Sequence, residues 1–254
     1  MKLIKCISLN LYLNKLGGEI SNDDMVFVED VQEVYVGGQP YGKDPSWNSY
    51  FNIGVGEYLL KDNTVKTIST LQESDKQNIV GICIGIHPTT KAFMIIPGNP
   101  DFVYSTRRKW CTEVPVPFEM PEVTPVFGQE TTKLDGMSYT NIILDYASKN
   151  SKEPDFFTSA NFCKSFSPGY RDGDWYLPSV GELTILANIW NTVKPSIDNI
   201  YPSLTMWNNL WSSNLFSNLE GAYFVSLVNG KNGNDNVTAN QGCIPFLQIE
   251  PFVL

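Results

Sequence analysis

Few residues in this 254-residue chain are able to carry acid–base, metal or redox chemistry. His87 is the one histidine, so a Ser-His-Asp or Cys-His catalytic group, or a metal site built from several imidazoles, must use it or be absent. It follows the apolar run Ile79–Ile86 and precedes Pro88, and no G-x-S-x-G, P-loop or G-x-G-x-x-G accompanies it. A surface or hairpin-end position is therefore expected for His87. Asp172 and Asp174 flank Gly173, and a glycosidase needs only two carboxylates, but two acids around a glycine ahead of a strand read first as a solvated turn. Cys6, Cys83, Cys111, Cys163 and Cys243 stand at long intervals without a C-x-x-C pair. Neither a disulfide framework nor a zinc site is expected, and as small buried hydrophobes they suit a reducing cytoplasm. Asn232, Asn234, Asp235 and Asn236 offer oxygen ligands in one loop, yet Asn-Gly and Asp-Asn steps serve positive-φ turns first.

Composition sets the frame for these groups. With 42% hydrophobic and 18% charged residues the chain can bury a full core and is neither disordered nor collagen-like. Eighteen Lys+Arg against 27 Asp+Glu leave a net charge of −9, which gives no electrostatic footprint for nucleic acid or anionic lipid. No run approaches the roughly 20 apolar residues of a membrane span. Lys5, Asn10 and Asn14 interrupt what a signal peptide would keep apolar, and Lys5 directly before Cys6 spoils a lipoprotein reading, so no secretion signal is expected. Six Trp, 12 Tyr and 14 Phe make 13% aromatics, and rings beside Asn and Ser suit sugar faces and adaptable interfaces. The loop 201–211, with Trp207, Asn208 and Asn209, and the loop 229–240, with Asn232, Asn234, Asp235 and Asn236, are the candidate binding surfaces.

The elements that position these groups are legible in outline. Up to about Gly42, short β-prone runs (Leu9–Leu13, Met25–Val28, Val34–Val36) alternate with glycine and Asn-Asp breaks, and the turn-rich stretch Tyr41–Ser49 reads as a linker. The division expected is a small β-rich arm over 1–50 and a larger domain over 51–254. Ile79–Ile86 and Ala92–Ile96 read as buried strands of a hairpin turned at Pro88–Lys91, and the proline-rich stretch 99–129 as an irregular excursion over the core. A helix is expected from near Thr140, with helical spacing resumed by Phe156, Ala160 and Cys163. A second starts at Ser179, where Ser179 and Glu182 form a capping box and Pro178 and Leu183 occupy the staple positions; Pro195 is expected to stop it. Strands return at Ala222–Val228 and Ile244–Val253 around a polar turn region, Asn229–Asn236. Helices set between β segments indicate α+β rather than repeated βαβ units.

These blocks carry a resemblance. Asp174-Trp-Tyr-Leu-Pro-Ser-Val-Gly-Glu-Leu is similar to the W-x-L-P-S/T-x-x-E-L helix start of bacterial and phage domains with a C-type-lectin-like fold, the group of the Legionella collagen-like C-terminal and formylglycine-generating-enzyme-like domains. Leu210-Trp-Ser-Ser-Asn-Leu and Gly221-Ala-Tyr-Phe-Val-Ser-Leu-Val-Asn-Gly resemble its following Y-W-S-S-S/T and A-W-x-V-x-F-x-x-G strands, and Leu134-Asp-Gly-Met-Ser-Tyr-Thr-Asn-Ile its G-x-x-N-T helix opening. The resemblance spans roughly residues 55 to 254, and the usual V-R-P-V-R ending is replaced by Ile244-Pro-Phe-Leu-Gln-Ile-Glu-Pro. The residue chemistry makes Trp175, Leu177, Pro178, Ser179, Glu182, Leu183, Trp211, Ser212 and Ser213 fold determinants. The resemblance further implies that the two candidate loops display the variable binding surface. Trp207-Asn208-Asn209 resembles the W-N-D calcium signature of such lectins with its acid replaced by an amide, which removes charge a hard cation favours, so no cofactor is expected, calcium at Asn232, Asn234, Asp235 and Asn236 being the alternative. The formylglycine-generating relatives use a cysteine pair near the C-terminus, where only Cys243 stands here, so that activity is not expected.

Val26-Phe-Val-Glu-Asp-Val-Gln-Glu-Val-Tyr-Val-Gly-Gly-Gln-Pro-Tyr-Gly resembles the F-V-x-D-x-x-x-I-Y-x-x-G-x-x-Y-G segment of tail and fibre proteins from tailed phages infecting gut bacteria. The two resemblances together imply a non-enzymatic virion protein, a tail or head fibre or decoration protein made in the host cytoplasm. Its arm would dock on other virion proteins, and its lectin-like domain would attach to a host-surface glycan or protein. A homotrimer is the expectation for a fibre, although no heptad enforces one. A bacterial surface lectin or fimbrial adhesin is the competing reading, and a glycan-cleaving depolymerase working through Asp172 and Asp174 the third.

Overall fold

Short apolar runs cut by glycine and Asn-Asp steps set the pattern of the first fifty residues, and the described residues there form four short strands. A computed structural model of the chain describes residues 3–6, 25–28, 33–36, 39–40, 53–98, 102, 107–117, 119–126, 128–202 and 208–250. It divides into two compact units, Met1–Tyr50 together with Phe252–Leu254, and Phe51–Pro251. In the first, β1 (Leu3–Cys6) runs parallel to β2 (Met25–Val28), which pairs antiparallel with β3 (Glu33–Val36), followed by β4 (Gln39–Pro40). The strands expected at 25–28 and 34–36 are present, whereas the strand expected at Leu9–Leu13 and the linker at Tyr41–Ser49 lie outside the described residues.

The second unit is α+β. Its first sheet has the order β14-β8-β7-β5-β6, built from β5 (Tyr58–Leu60), β6 (Val65–Lys66), β7 (Ile79–Ile86), β8 (Phe93–Pro97) and β14 (Leu247–Ile249). Its second has the order β12-β11-β10-β13-β9, from β9 (Arg107–Arg108), β10 (Asn209–Leu215), β11 (Gly221–Ser226), β12 (Asn232–Asn236) and β13 (Gln241–Gly242). Among the described residues every pairing is antiparallel except the parallel contact of β10 with β13 at Leu210 and Gly242. Among the described residues four α-helices accompany them: α1 (Gly136–Lys149), α2 (Thr158–Lys164), α3 (Val180–Asn188) and α4 (Trp190–Ile200).

The near-continuous apolar run of β7 follows from burial on both faces. Ile82, Ile84, Met94 and Ile96 pack against Val180, Leu183, Leu186, Val193 and Ile197 of α3 and α4, while Val80, Cys83, Phe93 and Ile95 pack with Trp175, Leu247 and Ile249. The second sheet is also covered twice, with Leu210, Tyr223 and Val225 in the first cluster and Trp211, Leu215 and Ala222 in another with Trp110, Ile143, Ala147 and Phe157. Three consecutive residues join these cores: Trp175, Tyr176 and Leu177 are each fully buried, each in a different cluster.

Two expectations about elements are corrected. Pro195 does not stop a helix, because the helix breaks at Ile189 and Pro195 lies inside α4; the carbonyl of Asn191 that it leaves without an amide is on an exposed residue. Asn232–Asn236 is not part of a turn but an edge strand, paired with β11 over five positions.

Candidate functional site

The motif around Ser179 builds a buried carboxylate hub. The Ser179 hydroxyl accepts from Glu182 N–H, while the Ser179 N–H and hydroxyl donate to Glu182 Oε2 at 2.7 and 2.8 Å. Val180 N–H donates to Asn214 Oδ1 and Gly181 N–H to the Lys133 carbonyl, so the amides that open α3 are all satisfied. Gly136 N–H, at the start of α1, reaches the same Oε2 at 3.2 Å, and a Cβ at Gly136 would sit 2.3 Å from that oxygen, so only glycine allows the approach. Oε1 accepts from the Tyr176 hydroxyl at 2.8 Å and the Gln248 amide at 3.3 Å, with His87 Nε2 at 3.5 Å. Every hydrogen-bond neighbour of the two oxygens is a donor. Burial and the Glu182 charge push the Tyr176 phenol well above its ordinary range.

His87 belongs to this hub and not to the surface: it is 1% exposed. Its Nδ1 accepts from the amides of Thr89 and Thr90, which places the ring proton on Nε2, 2.6 Å from the Leu134 carbonyl. Burial disfavours the charged ring, but the hydrogen bond and charge of Glu182 outweigh it and move the net pKa upward. The price of a second proton on Nδ1 is the loss of both amide bonds, which opposes that pull. The hub thus ties the β7–β8 hairpin, β14, the Tyr176 segment, α1 and α3 to one buried carboxylate.

The remaining expected fold determinants are equally interior. Trp175 Nε1 donates to the Tyr170 carbonyl, Pro178 accepts from Ser213 N–H, and Leu177 exchanges bonds with the Thr140 hydroxyl. Trp211 Nε1 donates to the Arg108 carbonyl, and the Ser212 hydroxyl to the Tyr223 carbonyl. The Ser213 hydroxyl has no hydrogen-bond partner among the described residues.

The expected binding residues separate. Trp207 lies outside the described residues; Asn208 is exposed, and half-buried Asn209 opens β10 opposite Ser226. On β12, Asn232, Asn234 and Asn236 are exposed and alternate with half-buried Gly233 and Asp235. Register pairs Asn232 with Val225, Asn234 with Tyr223 and Asn236 with Gly221, so the three amides share one face at intervals of about 7 Å. Leu210 pairs with Val225 on that face, and alternation therefore turns Asn209 to the other. Asn232 bonds the Glu130 carboxylate, which also takes the Gly128 N–H at 2.8 Å and the Tyr223 hydroxyl at 3.2 Å. Burial and the Glu130 charge push the Tyr223 phenol up to about 12. Asn236 Oδ1 is taken by the Thr238 amide and hydroxyl, and Asp235 by Gln241 and the Asn236 amide. The Asn234 side chain is uncommitted among the described residues. Glu130 and Tyr223 carried no signal in sequence, because their pairing spans 93 residues.

Elsewhere, Asp172 Oδ1 accepts the Gly169 and Tyr170 amides on an exposed turn, the role expected for it. A cleft of about 330 Å³ is lined by Leu60, Lys61, Asp62, Thr64, Lys66, Asp75 and Asn78. No group of three His, Cys, Asp or Glu side chains placed to hold a metal occurs among the described residues. No protein-family model matches this chain, and no curated protein matches it.

Proposed function

We propose that this chain is a non-enzymatic structural protein of a tailed-phage virion, a fibre or decoration protein that displays a C-type-lectin-like domain to bind a glycan or protein on the host surface. The observation that carries the reading is the amide row on β12: Asn232, Asn234 and Asn236 project from one face of a strand whose other edge is held by β11, beside the Glu130 carboxylate. The uncommitted Asn234 amide supplies a donor and an acceptor together, the complement that a sugar hydroxyl presents. Pairing with β11 over five positions holds the backbone that carries these side chains. The lectin-like assignment is supported by the Trp175–Leu183 motif set at the start of α3, and the virion assignment by the resemblance of residues 26–42 to fibre and tail proteins. Residues 1–50 attach the chain to other virion proteins and hold it as a homotrimer.

The test is binding of the purified chain to a glycan array and to envelope polysaccharide from the host, comparing Asn234→Ala with the parent. Loss of one well-placed hydrogen bond weakens binding about fivefold with the melting temperature unchanged. Binding as strong as the parent's in both Asn234→Ala and Asn232→Ala contradicts the assignment of this face.

A further inference from the structure

Two thiols that nothing in the sequence pairs meet in the interior. Cys163 Sγ, in the last turn of α2, lies 3.4 Å from Cys243 Sγ, in the segment between β13 and β14, across 80 residues of chain. Both side chains are buried in the cluster built around Trp110, Trp211 and Phe157. Each stands near the end of a short element, α2 having seven residues and β13 two, so the backbones are able to give by the small amount that bond formation needs. A cation accompanies the pair. The Arg108 guanidinium lies 4.1 Å over the Phe162 ring, next in sequence to Cys163, and its Nε is buried without a hydrogen-bond partner among the described residues.

We propose that Cys163 and Cys243 are a latent cross-link, a dithiol in the folded chain that a peroxide converts to a disulfide, locking α2 to the segment leading into β14. The first step is attack of the Cys163 thiolate on hydrogen peroxide: an S–O bond forms, the O–O bond breaks, and the departing hydroxide becomes water with the proton the thiol gave up. Cys243 then attacks the Cys163 sulfur; the S–S bond forms, the S–O bond breaks, and the leaving hydroxide takes the Cys243 proton as a second water. Two thiols lose two electrons to one peroxide, and the sum is one disulfide and two waters. Burial and then the neighbouring Cys243 push the Cys163 thiol far above its ordinary range, and Arg108 offsets this only in part, so the thiolate is scarce and oxidation is slow. Cys83 and Cys111 are buried as well, with pKa values raised to about 11, but no second thiol stands beside them among the described residues.

The experiment treats the purified full chain with a small excess of hydrogen peroxide under native conditions, quenches, alkylates after denaturation and maps the peptides by mass spectrometry. The result expected is a peptide joining Cys163 to Cys243, with a melting temperature roughly 5 °C or more higher that returns to its starting value on reduction, since closing a long loop restricts the unfolded chain. Cys243→Ser keeps the melting temperature of the reduced parent within a few degrees and, after peroxide, stops at an oxidised Cys163 with no rise. The proposal is overturned if both thiols of the parent alkylate fully after peroxide exposure that oxidises them in denatured chain. It is overturned equally if Cys163 is carried to sulfinic acid with Cys243 still free. The parent comparison decides the matter even where a serine variant fails to fold.

Discussion

Replacing Glu182 with glutamine swaps one carboxylate oxygen for a donor in a place where every neighbour donates. The Ser179 and Gly136 amides and the Tyr176 hydroxyl cannot all be satisfied afterwards. A loss of about 3 kcal/mol is expected, read as a lower urea midpoint with an unchanged slope; a loss under about 0.5 kcal/mol contradicts the hub. Glu130 gives the pH test. Burial works to raise its pKa, and the bonds from Gly128 N–H, Tyr223 and Asn232 outweigh it, so the net shift is downward from the ordinary 4.5. A carboxyl depressed in the folded state stabilises above its unfolded pKa, and that contribution is lost as pH falls through the folded value. The gap in melting temperature between the parent and Glu130→Gln is therefore widest above pH 4.5 and closes on acidification; a gap that widens in acid contradicts the sign. The sequence hides why His87 is interior, since its acceptor Leu134 is 47 residues away.

At the scale of elements, what was legible was local. The start of α3 is written in four residues, and a serine accepting an N3 amide while the N3 glutamate reaches back is chemistry at a fixed spacing. Ser179→Ala is expected to cost about 1 kcal/mol from the cap alone and more because the hydroxyl also bonds Glu182 Oε2. Gly136→Ala is the harsher change. Its Cβ would meet Glu182 Oε2 at 2.3 Å and the Ser179 amide at 2.6 Å, and the expected outcome is a chain recovered insoluble or with a much lower melting temperature. Elements set by tertiary contact were not legible. Asn-Gly-Asn-Asp-Asn has the composition of a turn, and β11 holds it as a strand through register that no local propensity encodes. Pro195 reads as a stop, yet α4 restarts at Trp190 and carries it. Gln248 reaches Glu182 over 66 residues, a pairing with no local trace.

For the whole molecule, the contacts separate residues 1–50 from 51–251, and the α+β class of the larger unit agrees with the order of its strands and helices. The proposed division of labour gives each unit its own test. Light scattering on the full chain is expected to report a trimer, and residues 51–251 produced alone a monomer; a monomeric full chain contradicts assembly through the arm. The virion assignment is the claim on which the rest of the proposed function depends, and it is open to direct measurement. Peptide mass spectrometry of density-purified phage particles from the source culture, with copy number scaled to the capsid protein, is expected to find this chain in multiples of three. Particles that lack it, with the protein recovered from the cell envelope instead, contradict the virion reading and favour the bacterial adhesin.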